Sequence, residues 1–169
     1  TVAEMEVNLR YLDTKVTTTF DTRTQLAAAN TTLGFAYLGE ASREGWFKWD
    51  GSNLSAKVTA DTQQGVYVPP TGGNGSAGAW VRVHDGRLLA RWFGATGDGT
   101  TDDAPAINAA IALAGALGGL QVVLENTTYA IAGTLAVSVR DTDITGFGAD
   151  MRHADTSFAR FTPPPLNRA

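Results

Sequence analysis

The residues best suited to chemistry lie in the segment GATGDGTTDD, which spans positions 94–103 and contains three glycines and three aspartates. Carboxylate oxygens are ligands that Ca²⁺ prefers, so Asp98, Asp102 and Asp103 are candidate calcium ligands. Two carboxylates on one loop could also act as the acid and the base that hydrolyse a glycoside. Both kinds of chemistry depend on how the neighbouring elements hold these side chains.

The spacing in this segment fits none of the established site motifs. A calcium-binding EF-hand loop alternates oxygen ligands over about twelve residues and ends in glutamate, whereas here the aspartates run into Ala104 and Pro105. A phosphate-binding loop needs a lysine followed by serine or threonine, and the glycines do not have the spacing of a dinucleotide-binding motif. We therefore predict no catalytic or metal-binding residue and no cofactor.

The same residues are well suited to begin a helix. Thr101 or Asp102 can accept hydrogen bonds from the free N–H groups of a first turn, and Asp103 complements the helix dipole. Pro105 occupies a position where no N–H is needed. Carboxylates in that environment keep a low pKa, which opposes a general-acid role. We interpret the segment as a tight turn and helix start that uses Asp98, Thr101, Asp102 and Asp103.

Other sources of chemistry are few. The chain has no cysteine, and its histidines, His84 and His153, are too far apart to match a metal-binding spacing. A net charge of −4 without a basic cluster argues against a nucleic-acid partner. No apolar run reaches the roughly 20 residues that span a bilayer, and the N-terminus lacks a signal-peptide pattern. We expect a soluble protein without membrane or nucleic-acid partners.

Residues 1–32 are predicted to form a helical stalk that self-associates and anchors the protein. Apolar residues recur at intervals of three and four, which is typical of a coiled-coil seam. A capping-box spacing from Thr22 to Gln25 indicates a second helix. The alternative to self-association is an amphipathic helix that lies on its own domain. The seam residues are Val2, Met5, Leu9, Leu12 and Val16.

Residues 33–86 are predicted to form a small all-β module. Alternation in GWFKWD and AWVRV is typical of half-buried strands, and Asp50-Gly51 and Asp85-Gly86 supply turns. The large aromatic residues have two interpretations: they form the core that a small module needs, or they stack on the apolar face of a sugar. These residues are Trp46, Trp49, Tyr67 and Trp80.

Residues 87–150 are predicted to contain one helix followed by short strands. The helix, from about residue 102 to 117, has Ile107 and Ile111 on one apolar stripe. The strand-like runs after it are about a dozen residues apart, which favours stacked strand turns over a βαβ sheet because no second helix follows. Residues 151–169 include a run of three prolines, which cannot join a sheet, and we expect an extended tail there.

The segment RWFGATGDGTTDDAPAINAAIALAGALGGLQVVLENTTYAIAGTL resembles the start of the pectate-lyase-like right-handed parallel β-helix of bacteriophage tailspike proteins. In that family a similar segment forms a helix that caps the β-helix, a glycine pair follows, and two strands begin the first coil. Glu125-Asn126-Thr127-Thr128 departs from the usual Pro-x-Gly turn. The upstream runs GFAYLGEASREGWFKWDGSN and DTQQGVYVPPTGGNGSAGAWVRV are similar to the small β module that precedes the β-helix in many tailspikes.

The resemblance implies a fold class that is mixed and mainly β. It would consist of an N-terminal helical coiled-coil stalk, a small all-β module, and a capping helix with the first coil of a right-handed parallel β-helix. It also implies a homotrimer that joins phage tail or baseplate proteins in the virion and meets bacterial surface polysaccharide. Enzymes of the family carry their catalytic carboxylates on later coils, and no position here matches them.

We therefore predict a structural virion protein, the trimeric and particle-anchoring part of a phage or prophage tailspike or tail fibre used in host attachment. We expect no enzymatic activity from this chain. One alternative is the N-terminal fragment of a polysaccharide-degrading β-helix enzyme, a lyase or a glycosidase. A second alternative is a carbohydrate-binding module that uses its exposed aromatic residues.

Overall fold

The computed structural model describes residues 18–136, 144–146 and 150–153. Within them the chain forms short strands, arranged in three sheets, and three α-helices. The helices are α1 (Arg23–Ala27), α2 (Ser55–Ala60) and α3 (Ala104–Ala116). The strands are β1 (Thr18–Phe20), β2 (Phe35–Leu38), β3 (Gly45–Asp50), β4 (Tyr67–Val68), β5 (Ala79–Arg82), β6 (Arg87–Leu89), β7 (Asp98–Asp102), β8 (Gln121–Leu124), β9 (Thr128–Ile131), β10 (Ile144–Gly146) and β11 (Asp150–His153).

The first part of the chain builds a five-stranded sheet in the order β1-β2-β3-β5-β4. Strand β1 runs parallel to β2, and the other pairs are antiparallel. Side chains alternate between the two faces of a strand, so Phe47 and Trp80 point to one face and Trp46 to the other. Helix α1 covers the first face with Leu26. The buried residues of this core are Leu26, Ala36, Leu38, Phe47, Val68 and Trp80.

The second part of the chain builds two three-stranded parallel sheets, in the orders β10-β8-β6 and β11-β9-β7. Successive strands along the chain alternate between the two sheets, so each strand pairs with the strand two positions earlier. Across the first of these sheets, for example, Leu88 pairs with Val122, and Val122 pairs with Ile144. Helix α3 packs beside these sheets and buries Ile107 and Ile111 in their core.

One hydrophobic core runs across position 86, where we placed a boundary between two parts. Leu54 and Tyr67 from the first part belong to the same buried cluster as Leu88 and the inner face of α3. At this junction Gly65 lies against the ring of Phe93, where a Cβ on the glycine would come within 2.8 Å of a ring carbon. The two parts are therefore packed together directly and share apolar surface.

The predicted fold class is wrong. In the described residues the three helices are only five, six and thirteen residues long, and the sheets are small, so the architecture is mixed α/β. The module at 33–86 is not all-β, because it contains α2. Neither parallel sheet exceeds three strands in the part of the chain that the structure describes, and we do not assign these sheets to a β-helix.

No long helical stalk is present in residues 18–32. Thr18 and Thr19 are β-branched and favour extended backbone, and they form a strand that pairs with β2. Thr22 then caps the five-residue helix α1, and Asn30 caps a 3₁₀ turn at Thr31–Leu33. The predicted seam of Val2, Met5, Leu9, Leu12 and Val16 lies outside the described residues, and β11 extends to His153, into the segment predicted as a tail.

Candidate functional site

The glycine-rich loop at 94–103 connects a 3₁₀ turn, Ala90–Phe93, to strand β7 and helix α3. Gly94 ends the 3₁₀ turn with a left-handed φ of 106°, and Gly97 has a φ of 63°. Glycine is the residue that adopts such a backbone without strain. A Cβ on Gly97 would also collide with the side chain of Thr127, whose hydroxyl donates to the Gly97 carbonyl. These glycines are therefore required by backbone geometry.

The carboxylate of Asp103 is buried, with 1% of the residue exposed, and it holds this loop closed. It accepts hydrogen bonds from the backbone N–H of Thr96 at 2.7 Å, from the Thr96 hydroxyl at 3.2 Å and from the N–H of Gly97 at 3.2 Å. The backbone of Asp103 donates to the carbonyl of Ala130 at 2.8 Å and accepts from Ile107 at 3.0 Å. Asp103 thus joins the loop, strand β9 and the first turn of α3.

Asp98 binds backbone groups within β7, and Asp102 binds backbone groups outside it. Asp98 accepts from the N–H groups of Thr100 and Thr101 and from the Thr101 hydroxyl, all at 2.7–2.8 Å. The Thr101 hydroxyl and these N–H groups hold the pKa of Asp98 below its ordinary value of 3.8. Asp102 Oδ1 accepts from Ala104, the first residue of α3, and from Ala132 beyond β9. All three aspartates of the loop therefore bind backbone N–H groups.

This arrangement stabilises the turn rather than serving catalysis, and of the three aspartates only Asp102 binds an N–H of α3 with its side chain, because Asp103, the N-cap residue, makes no capping bond. A carboxylate that accepts several N–H groups is stabilised in its charged form, which makes it a poor proton donor. In the part of the chain that the structure describes, no three or more histidine, aspartate or glutamate side chains are grouped so that they could hold a metal ion. The loop residues predicted from the sequence lie together, and their carboxylates bind backbone N–H groups and the hydroxyls of Thr96 and Thr101.

The four aromatic residues singled out in the sequence do not form one platform. Trp80 is fully buried and Tyr67 nearly so, and both belong to the hydrophobic cores. Trp49 is partly buried and packs edge-on against Trp80, with ring centroids 5.5 Å apart. Trp46 lies on the opposite face of β3 and is 47% exposed. Three of the four residues therefore contribute to packing, and Trp46 alone among them presents its ring to solvent.

A buried arginine, Arg82, is the most heavily engaged polar side chain at the junction of the two parts. It is 2% exposed, and its guanidinium lies 4.5 Å from the ring centroids of both Phe47 and Trp92. It donates to three backbone carbonyls, those of Gly65 at 2.6 Å, Glu44 at 2.9 Å and Arg43 at 2.8 Å. Burial is the main reason that its pKa is lowered to about 9.

Two further arginines extend this cluster across the junction. Arg43 donates from Nη1 to the carbonyls of Gln63 at 2.9 Å and Trp92 at 2.5 Å. Arg91 lies between two carboxylates: Nη1 is 3.0 Å from Glu44 and Nε is 2.9 Å from Glu125, the latter an ion pair without hydrogen-bond alignment. We refer to Arg43, Arg82 and Arg91 as the arginine cluster.

Sequence reasoning missed this cluster because its partners are distant in sequence. The one signal available was the alternation in AWVRV, which puts Arg82 on the same face of its strand as Trp80. A buried carboxylate, Asp61, was also missed, although its partners are only four to six residues away. It accepts from the N–H groups of Gly65, Val66 and Tyr67, and burial raises its pKa although these bonds oppose the shift.

None of the helices in the described ranges has the length and apolar character needed to cross a membrane. No protein-family model matches the chain. No curated protein is similar to it in sequence.

Solved structures of phage tailspike proteins have a similar fold. The tailspike protein of Acinetobacter baumannii phage AM24 superposes with a TM-score of 0.57 at 17% identity, covering 78% of this chain and 22% of that one. The enzymatically active domain of tailspike protein 4 of bacteriophage CBA120 gives 0.54 at 15% identity, with coverages of 92% and 23%. Tailspike gp49 of Acinetobacter baumannii bacteriophage Fri1, a capsular polysaccharide depolymerase, gives 0.50 at 16%, with coverages of 81% and 23%.

The chain therefore spans less than a quarter of the length of each of these tailspike chains. At identities of 15–17% the similarity concerns the fold. The described part of this chain has a tailspike-like fold, and its functional residues have to be judged from its own contacts.

Proposed function

We propose that this chain is a structural, particle-anchoring part of a phage or prophage tailspike that serves host attachment. The observation that carries the proposal is the fold similarity to tailspike proteins, which extends over most of this chain in each comparison. In this role the protein resides in the virion tail, and its partners are tail or baseplate proteins, with bacterial surface polysaccharide as the target of the assembled particle.

The junction of the two parts supports a mechanical role. An anchoring element has to transmit force without its parts separating, and the arginine cluster ties loops of the first part to the turn that begins the second. Arg43 binds the Trp92 carbonyl, and Arg82 stacks on the Trp92 ring. Buried hydrogen bonds of this kind are stronger than those exposed to water. These contacts would resist separation of the two parts, as attachment to a particle requires.

We further propose that the chain assembles as a homotrimer through the apolar seam at Val2, Met5, Leu9, Leu12 and Val16. Contact between these apolar side chains of different copies would remove them from water, which favours association. Light scattering coupled to size-exclusion chromatography measures the mass in solution. We expect three times the chain mass at micromolar concentration, and a clean monomer would contradict the assembly.

A double substitution tests whether the seam is the interface. Leu9→Asp with Leu12→Asp places two carboxylates in an apolar contact, where desolvation of the charges is strongly unfavourable, so we expect the trimer to dissociate. Asn8→Asp is the control, because it adds one carboxylate at a neighbouring position that is not among the apolar seam residues, and it should leave the mass unchanged. An unchanged mass in the double variant would exclude the seam.

A polysaccharide-degrading enzyme is the second candidate, and two of the similar structures favour it by their descriptions: one is a capsular polysaccharide depolymerase and one an enzymatically active domain. This chain covers 23% of each, and the loop carboxylates we considered for glycoside chemistry bind backbone N–H groups instead. We expect the chain to release no reducing ends from bacterial capsular polysaccharide. If this chain released reducing ends and lost that activity when its carboxylates were substituted, the enzymatic function would be established instead.

A further inference from the structure

One face of the five-stranded sheet is apolar and uncovered at its centre. The large hydrophobic residues that are exposed in the described part of the chain all lie on it: Phe35 (52%), Trp46 (47%) and Val83 (55%). They are neighbours across three adjacent strands, because Tyr37 pairs with Trp46 and Val83 donates to the Trp46 carbonyl. We call this surface the open face. It consists of Phe35, Tyr37, Trp46, Lys48, Val81 and Val83.

The size of the open face favours a small ligand over another protein. A buried aromatic side chain covers about 150–250 Å², so two half-exposed rings and one valine offer roughly 300 Å² of apolar surface. A stable protein interface buries about 800 Å² on each partner. One or two sugar rings, by contrast, match the area of an exposed indole and its neighbours. The open face is therefore too small for a stable protein contact of its own.

The indole of Trp46 contacts a second aromatic ring, which restricts its orientation. Tyr37 packs against it edge-on, with ring centroids 5.2 Å apart and an interplanar angle of 66°. An aromatic ring that is already ordered loses little conformational entropy when a ligand stacks on it. One side of a pyranose ring presents C–H groups, which pack on an aromatic face, while its hydroxyl groups remain at the edge for polar partners. Trp46 provides such a face.

Charged side chains lie along β3 on the same face as the indole, and Lys48, Asp50 and Lys57, the last of them on α2, together have a net positive charge. Lys48 lies between Phe35 and Val81 in register, and Asp50 follows two residues later at a shallow depression. Both Lys48 and Lys57 interact electrostatically with the Asp50 carboxylate. Two lysines and one aspartate leave one positive charge here, whereas the whole chain carries −4. A ligand with a carboxylate therefore complements this surface.

We propose that the open face binds an acidic oligosaccharide, with Trp46 as the stacking platform and Lys48 as the partner of a sugar carboxylate. Trp49 and Tyr67, which the sequence had placed with Trp46, do not take part, since Trp49 lies on the other face of β3 and Tyr67 is buried. The proposal does not rest on the assembly of the chain, because every residue it uses belongs to one copy.

Nuclear magnetic resonance of the indole N–H groups tests the proposal on the full chain. The Trp46 signal is identified by its loss in Trp46→Phe, and the protein is titrated with hexagalacturonate, a hyaluronan hexasaccharide or neutral cellohexaose. We expect an acidic hexasaccharide to shift the Trp46 signal in a saturable manner. Isothermal titration calorimetry, which does not depend on the indole signal, should show that Trp46→Ala weakens binding about tenfold. Lys48→Ala should weaken it less and remove most of its dependence on salt.

The matched control is Arg87→Ala, which changes an exposed cation outside the open face and should leave binding unaltered. A Trp46 signal that neither acidic hexasaccharide moves at about 10 mM, a concentration that detects the weakest specific binding, would overturn the proposal. Equal binding of cellohexaose would overturn the assignment to an acidic sugar. The masses of wild type and Trp46→Ala are measured on the same samples, and a change in mass would identify the open face as a protein interface instead.

Discussion

In both the glycine-rich loop at 94–103 and the arginine cluster, a charged side chain binds backbone groups. The two regions differ in how far apart the bonded residues are in the sequence. In the loop, Asp103 binds N–H groups six and seven residues away. In the cluster, Arg82 binds carbonyls 17, 38 and 39 residues away. In both regions a buried charge binds backbone groups that would otherwise lack partners. The loop closes one turn, whereas the cluster joins segments of the chain that only the fold brings together.

Removing the charge of Arg82, whose partners are distant in sequence, should have the largest effect on the free energy of unfolding. Arg82→Met keeps most of the side-chain length and its contact with the rings of Phe47 and Trp92, but it leaves three carbonyls without their donor. Methionine carries no charge that has to be desolvated, and this gain offsets part of the loss. We therefore expect the free energy of unfolding to fall by about 3 kcal/mol. Urea denaturation measures this quantity.

Arg87→Met is the matched control for this prediction, because Arg87 is an exposed arginine paired with Asp85, and its effect should be under about 0.5 kcal/mol. Comparable losses in the two variants would mean that the arginine cluster does not stabilise the junction.

Removing the charge of Asp103, whose partners are close in sequence, should have an intermediate effect on the free energy of unfolding. Asp103→Ala leaves the N–H groups of Thr96 and Gly97 without an acceptor in a part-buried turn, and we expect a loss of about 2 kcal/mol in the free energy of unfolding. Thermal denaturation followed by circular dichroism measures it. Asp98→Ala provides the comparison within the same loop, because Asp98 is exposed, and its loss should be much smaller. If Asp98→Ala destabilised the protein as much as Asp103→Ala, burial would not be the deciding factor.

The smallest effect concerns the pH dependence of Asp98. Its folded-state pKa lies below the ordinary 3.8 because of the Thr101 hydroxyl and the neighbouring N–H groups. A lowered pKa means that the unfolded state binds protons first as the pH falls. The contribution of Asp98 to stability is therefore complete above about pH 4 and is lost as the pH falls through the folded pKa. Carbon NMR of the carboxyl group should give a titration midpoint below 3.8.

Thr101→Val sharpens this prediction by removing the hydroxyl donor while keeping the shape of the side chain. We expect the Asp98 midpoint to move up towards its ordinary value, with little change in the midpoints of other carboxylates. A midpoint that stays the same in Thr101→Val would attribute the lowered pKa to the backbone N–H groups alone.

Parts of the fold could be predicted because they depend on neighbouring residues. The alternation in GWFKWD and AWVR corresponds to strands β3 and β5. The helix predicted at about 102–117 is α3, Ala104–Ala116, with Pro105 in its first turn. Thr22, which opens the capping-box spacing, caps α1 by accepting from the N–H of Gln25 at 3.2 Å. Hydrogen bonds between residues a few positions apart leave a pattern in the sequence.

The arrangement of these elements could not be predicted in the same way. The helical prediction at 18–20 was wrong because pairing of Thr18–Phe20 with β2 outweighs the local preference for a helix. The sequence left two interpretations of the aromatic residues open, and only the strand register separates these residues, since it turns Trp46 to solvent and Trp80 into the core. Burial of Arg82 depends on carbonyls that arrive from loops far along the chain.

The amino-acid sequence by itself determined the local features of this protein: the turns at glycine, the start and end of α3, the alternation of β3 and β5, and the absence of thiol chemistry. Only the tertiary structure decided which face of the five-stranded sheet stays open, where Arg82 is buried, and that the two parts share one core. The reason is physical. Local hydrogen bonds require only adjacent residues, whereas burial and charge pairing depend on neighbours that are supplied when distant segments pack together.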